Sequence, residues 1–318
     1  MGIPRFPRVF AVLAVVVVGL LVGPPGQAEP AKELRIGFQK YGTLTMVKGH
    51  GKLEERLAAQ GVAVKWLEFA AGPQLLEALN VGAIDLGVAG EAPPVFAQAA
   101  GAPLVYIGYE PSAPTAEAIV VPKESALRSV ADLRGKRVVL NKGSNVHYLL
   151  VRALAAAGLS PKDIQIVYLP PAEGRAAFER GAVDAWAIWD PFLADAQRAI
   201  EARPLTDGSR LVANHQFYLA NRSYAKTNPA VIQAVLAEID EVSGWARRDP
   251  RAAAQLLAPL TGIDAASLEI SIGRMGLGAK PMDAATAEAQ QRIADAFFEL
   301  GLIPRKIDVR EALPSSGS

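Results

Sequence analysis

The chain has 318 residues, no cysteine, 33 Lys+Arg against 32 Asp+Glu, and 51% hydrophobic residues, which excludes a disordered, collagen-like or disulfide-stapled protein. A formal net charge of +1 gives no electrostatic reason for a nucleic-acid or anionic-membrane partner, because such binding rests on clustered Lys and Arg. The length suits two domains or one large α/β domain, and any ligand must be recognised locally.

The first 28 residues read as an export signal. Arg5 and Arg8 precede the apolar run VFAVLAVVVVGLLV, which is shorter than the ~20 residues of a spanning helix and ends at Gly23-Pro24-Pro25. Gly26 and Ala28 suit a cleavage site. Removing the segment leaves 290 residues and, with two Arg and no acid gone, a net charge of −1. Without cysteine there is neither a disulfide nor a lipid-modified N-terminal Cys, so the expectation is a soluble periplasmic protein freed by a cleaved signal peptide.

In chain order, 34–38 is a short apolar strand leading into the turn QKYG, and 44–59 is helix-like. VAVKWLEF alternates as a strand. Gly72-Pro73 starts a helix with Leu75, Leu76 and Leu79 on one face, AIDLGVA is a strand, and Pro93-Pro94 opens a further helix. The pattern returns as KRVVL, the loop NKGSN, the helix HYLLVRALAAAG, the strand DIQIVYL, the helix GRAAFERG and the strand AVDAWAI. Residues 78–85 match 177–184 in hydrophobicity and in a Gly-small-apolar-Asp ending. Such alternation predicts an α/β fold of two related lobes, each a mostly parallel sheet covered by helices.

Between the copies TAEAIVVPKES reads as a strand, and after the second NHQFYLANRSY is strand-like; these are the expected crossings between lobes. The lobes are then 29–117 with 217–318, and 118–216. From Asn228 the chain reads as helical, over 229–248, 250–257, 265–275 and 282–300, and these helices are expected to cover the first lobe.

Ligands of open α/β sheets bind beyond the carboxyl ends of strands, where helix N-termini offer unpaired N–H groups and a positive dipole end. Four loops qualify: 39–43, 90–93, 142–145 and 188–191. Asp190 before Pro191 suits a helix cap as well as a ligand contact, and Glu91 suits a helix start; beside an anion a carboxylate repels unless the ligand carries an amine. Trp189 fits either a cleft or a core, and Ser144 and Asn145 either cap the next helix or meet the ligand. His50, His147 and His215 are scattered and form no HExxH arrangement, and no nucleophile or nucleotide motif stands where its mechanism needs it. The expectation is a binding protein and not an enzyme, with no cofactor and no metal.

The stretches RIGFQKYG, AAGPQLLEALNVGAIDLGVAGEAPPVFAQAAGAPLVYIG, DLRGKRVVLNKGSNVHYLLVRAL and AVDAWAIWDPF resemble the aliphatic sulfonate-binding proteins, the periplasmic receptors of alkanesulfonate ABC importers. The resemblance covers nearly the whole chain after the signal. It implies the type II periplasmic binding protein fold, with two α/β lobes, a cleft between them and two crossing strands. It places ligand binding on Gln39, Tyr41, Gly42, Thr45, Gly90, Glu91, Ser144, Asn145, His147, Trp189 and Asp190. It implies an alkanesulfonate ligand, an ABC permease in the inner membrane as partner, no nucleic acid, and a monomer. The chain departs from the family pattern at Glu91, where the family has Asp, at GSNVH, where it has a Ser-rich GSSSH, and near Tyr41, where it has a smaller residue. Receptors for taurine or nitrate share the lobes, and an enzyme or a ligand sensor on the same fold is the alternative from another class.

Overall fold

A computed structural model describes residues 1–2, 33–40 and 42–314. Residues 3–28 of the expected export signal, and Tyr41, lie outside the described residues.

The elements are β1 (Glu33–Phe38), α1 (Thr43–His50), α2 (Lys52–Ala58), β2 (Ala63–Glu68), α3 (Gly72–Asn80), β3 (Leu86–Gly90), α4 (Ala92–Ala99), β4 (Leu104–Tyr109), β5 (Glu117–Val121), β6 (Arg137–Leu140) and α5 (Asn145–Ala156). They continue with β7 (Gln165–Tyr168), α6 (Pro171–Glu179), β8 (Ala185–Trp189), α7 (Phe192–Ala199), β9 (Arg203–Asp207), β10 (Gln216–Asn221), α8 (Arg222–Thr227), α9 (Pro229–Arg248), α10 (Pro250–Thr261), α11 (Ala265–Arg274) and α12 (Ala284–Glu299). The helix expected over 44–59 is two helices, because Gly51 takes a left-handed φ of 73° and ends the first.

Two five-stranded sheets form, in the orders β2-β1-β3-β10-β4 and β7-β6-β8-β5-β9. The orders are equivalent position by position. In each sheet the first three strands are parallel, and the fourth, β10 or β5, runs antiparallel to both its neighbours. The chain passes from the first sheet to the second between β4 and β5, and returns between β9 and β10.

The matched octads perform the same task in both sheets. After α3, Gly82 takes φ 71°, and Asp85 accepts the Arg35 N–H at 2.8 Å while its own N–H donates to the Arg35 carbonyl at 2.8 Å. After α6, Gly181 takes φ 66°, and Asp184 pins Arg137 through the same two bonds, at 2.7 and 2.8 Å. The glycine ends the helix and the aspartate fixes the register of the next strand.

Each sheet has a core on both faces. In the first, Leu34, Ile36, Leu86 and Val88 pack with α1, α9, α10 and α11, while Leu75, Leu79, Val95 and Phe297 fill the other face under α3, α4 and α12. In the second, α5 covers one face through Val146, Leu149 and Leu150, and α6 and α7 cover the other around Trp186. The strand β3, LGVAG, is wholly buried. Its glycine has a packing reason: a Cβ on Gly87 would lie 2.6 Å from Leu75 Cδ2, so α3 sits directly on the strand.

Candidate functional site

The carboxyl ends of β1, β3, β6 and β8 turn toward one junction between the sheets. A small cleft there is lined by Gln39, Gly72, Gly90, Pro93, Ser144, Asn145, Trp189, Asn214 and Gln216. Five expected residues are among them: Gln39, Gly90, Ser144, Asn145 and Trp189.

Asn145, the first residue of α5, ties the two sides together. Its Oδ1 accepts the Ala92 N–H at the start of α4, at 3.3 Å, and its Nδ2 donates to Asn214 Oδ1 at 2.6 Å. Asn214 sits on the return crossing with φ 51°, a left-handed conformation that Asn tolerates better than most residues, and its own Nδ2 donates to the Ala113 carbonyl at 2.9 Å on the outgoing crossing. A Cβ on Gly90 would stand 2.0 Å from Asn145 Oδ1, so only glycine allows this approach. The remaining space is about 20 Å³, room for about one water, so the sides are drawn together here and an organic ligand needs them to part.

The helix starts at this junction carry donors that their own N-cap side chains leave open, the Ala92 N–H of α4 being taken by Asn145 from across the junction. None of α1, α3, α4 or α5 has a cap bond from its own N-cap side chain, as is also true of α2, α6 and α9, whereas α8, α10, α11 and α12 are each closed by an Asn or Asp. Ser144 stands at the N-cap position of α5 but donates its hydroxyl to the Asn141 carbonyl at 2.7 Å. Gly143, at φ 75°, makes the turn. Backbone N–H groups and the positive ends of helix dipoles are therefore what the junction offers, a neutral site suited to an anion.

The other expected residues support the walls. Thr45 donates its hydroxyl to the Gln39 carbonyl at 2.6 Å, and Gln39 Nε2 donates to the Val88 carbonyl at 3.0 Å, which holds the loop onto β3. Gly42 supplies φ 93° for that loop. His147 is buried; its Nδ1 accepts the Gly143 N–H at 3.3 Å, and burial, helped by Lys142, pushes it down to about 4, so it is neutral. Asp190 is fully buried. Its Oδ1 accepts the Ala194 N–H at 2.9 Å in the manner of a cap, and Arg274 reaches it from α11 at 3.4 Å. Burial outweighs that guanidinium and pushes Asp190 up to about 6.

Glu91 faces away from this cleft, onto a second cavity of about 410 Å³. Its Oε2 accepts the His215 N–H at 3.1 Å, and burial raises it to about 7 against the His215 and Asn214 N–H groups beside it. Close by, Glu117 at the start of β5 is fully buried with neither oxygen hydrogen-bonded, and burial and the charge of Glu91 hold it well above the usual carboxylate range. Gly72, Pro93, Asn214 and Gln216 were not expected at the cleft. A usable signal exists only at Asn214, an Asn placed where the chain must turn between strands.

A family model described as NMT1/THI5 like matches residues 57–253. A relative named as an aliphatic sulfonates-binding protein of Escherichia coli (strain K12) is 48% identical over 290 residues, 90% of each chain. The chain belongs to the aliphatic sulfonate-binding protein family. Two solved structures of this family share its fold. The alkanesulfonate-binding protein SsuA of Xanthomonas axonopodis pv. citri, bound to MOPS, is 44% identical with a TM-score of 0.86, covering 90% of this chain and 99% of that one. The periplasmic aliphatic sulphonate-binding protein SsuA of Escherichia coli is 46% identical with a TM-score of 0.81, covering 90% and 92%. The two-lobed α/β periplasmic binding protein fold is thus established, and the family members named are binding proteins.

Proposed function

We propose that this protein is a periplasmic, non-enzymatic receptor that captures an aliphatic sulfonate between its lobes and delivers it to an ABC permease of the inner membrane, after removal of the leader 1–28. The observation that carries the reading is the meeting of helix starts from both sheets at Gly90 and Asn145, where the first N–H of α4 already holds an oxygen, that of the Asn145 side chain. A sulfonate stays charged at every physiological pH, and neutral, preorganised N–H donors bind such an anion without a counter-ion.

In this reading the lobes are 29–117 with 217–318, and 118–216, and they turn about the two crossings. The N–H groups of α4 and α5, with Gln39, Ser144, Asn145, Asn214 and Gln216, hold the sulfonate oxygens, and Trp189 and Tyr41 flank the alkyl part. Gly42, Thr45, His147 and Asp190 hold the walls. The ligand touches both lobes only when they are shut, and that difference in affinity favours closure.

The placement of the acids favours a plain alkanesulfonate over an aminosulfonate. Asp190 is engaged by Ala194 and Arg274, and Glu91 faces the other cavity, so neither meets an ammonium in the cleft. Thermal melts with ethanesulfonate, taurine, nitrate, sulfate and a pyrimidine test this. Ethanesulfonate at 100 times its dissociation constant adds about 2.7 kcal/mol, and taurine gains nothing over it. A melt raised by nitrate or the pyrimidine, with no response to any sulfonate, overturns the reading.

A further inference from the structure

The cavity of about 410 Å³ behind the cleft is lined by three arginines from three separate parts of the chain. Arg152 projects from α5 of the second lobe, Arg292 from α12 of the first, and Arg210 from the return crossing. Among the described residues Arg152 and Arg210 form no ion pair, and Arg292 has only an exposed intrahelical partner, Glu288, at 3.2 Å. Such an exposed pair neutralises little. In a chain whose charges nearly balance, three guanidiniums around one concavity repel one another, and nothing in the fold requires them there. Glu91 also lines the cavity, but its Oε1 is buried and its Oε2 accepts the His215 N–H, so the charged groups the wall offers a ligand are the three guanidiniums.

We propose that this cavity is a second ligand site, for a small polycarboxylate anion such as a tricarboxylate. Carboxylates of the ligand take the guanidiniums, which suit planar, bidentate recognition. Because the arginines sit on both lobes and on a crossing, the anion favours the closed arrangement and so tightens binding in the cleft. By linkage, a cleft ligand tightens binding of the anion by the same factor. The site itself does not depend on what the cleft binds; the coupling rests on the sulfonate reading.

The test is calorimetric titration at fixed ionic strength with citrate, tricarballylate and ethanesulfonate. It compares the wild type with the triple variant Arg152→Gln, Arg210→Gln, Arg292→Gln, all three exposed and replaceable without disturbing a core. Citrate and tricarballylate bind the wild type at one site with comparable affinity, because the carboxylates carry the recognition, and both lose about tenfold or more in the triple variant. Ethanesulfonate binds both proteins alike on its own and more tightly to the wild type alone when citrate is present. Citrate binding that is absent, or equal in the two proteins, overturns the site; citrate binding without tricarballylate binding overturns recognition through the carboxylates. Loss of ethanesulfonate binding in the triple variant makes the cavity the sulfonate site and overturns its reading as a second one. If citrate distinguishes the proteins while ethanesulfonate binds neither, the sulfonate reading fails and the second site stands.

Discussion

Gly90 and Glu91 are neighbours with opposite constraints. At Gly90 the missing side chain lets Asn145 Oδ1 occupy the space of a Cβ, so Gly90→Ala keeps the lobes from meeting. We expect that variant to bind ethanesulfonate roughly tenfold or more weakly by calorimetry, with the melt of the ligand-free protein lowered by less than about 1 kcal/mol, since the clash disappears when the lobes part. At Glu91 burial raises the carboxyl from its ordinary value to about 7, so the folded state holds a proton that the unfolded state releases. The stability difference between wild type and Glu91→Gln therefore moves against the wild type as pH rises from about 4.5 to 7, by roughly 3 kcal/mol in all. His147, pushed down to about 4, has the opposite slope, with stability lost as pH falls from 6.5 toward 4, so only the comparison with the variant isolates Glu91. Melts of both proteins at several pH values check this, and a difference that stays constant with pH contradicts it.

At the scale of elements, Asp190 and Arg274 join α7 of the second sheet to α11 beside the first. Arg274→Ala leaves a fully buried carboxylate with little but the Ala194 N–H, and we expect a loss of about 2 kcal/mol near pH 8. The loss shrinks near pH 5, because Asp190 already titrates up at about 6 and its neutral form needs no guanidinium. A loss independent of pH would show that Arg274 acts through packing alone. Much at this scale was readable from sequence. The octads 78–85 and 177–184 stood out because each ends a helix with a left-handed glycine and starts a strand with an aspartate that pins its neighbour, a task that fixes residue type and spacing together. The helix starting at Pro229 and ending at Arg248 was equally plain from its length and apolar stripe. The strands β4 and β9 were not assigned: β9, RPLTD, is half-buried with no alternation, and β4, LVYIGY, is an apolar run that periodicity alone leaves ambiguous. At the site, loops after repeated strands were identifiable because the repeat marks them. Asn214 and Gln216 arrive from the return crossing, where no periodicity points inward, and the direction in which Glu91 faces depends on how the lobes meet.

For the whole molecule, the two sheets share one strand order, and each takes as its fourth strand the one reached by crossing from the other. In the proposed reading these two passages are the hinge, with left-handed Arg210 and Asn214 on the return and Asn214 bonded to both the outgoing chain and Asn145. With about 20 Å³ at the junction, the proposed ligand requires an opened form to enter and a closed one to be enclosed. Small-angle scattering should give a smaller radius of gyration with saturating ethanesulfonate than without it, and an unchanged radius contradicts closure on the ligand. The central claim is that helix starts from both lobes hold a sulfonate where Ser144 and Asn145 meet Gly90, and calorimetric titration of ethanesulfonate into the wild type and the Ser144→Ala, Asn145→Ala double variant tests it most directly. One site per chain in the wild type and affinity reduced about a hundredfold in the variant are the predicted results. Equal affinity in the two proteins would contradict the claim.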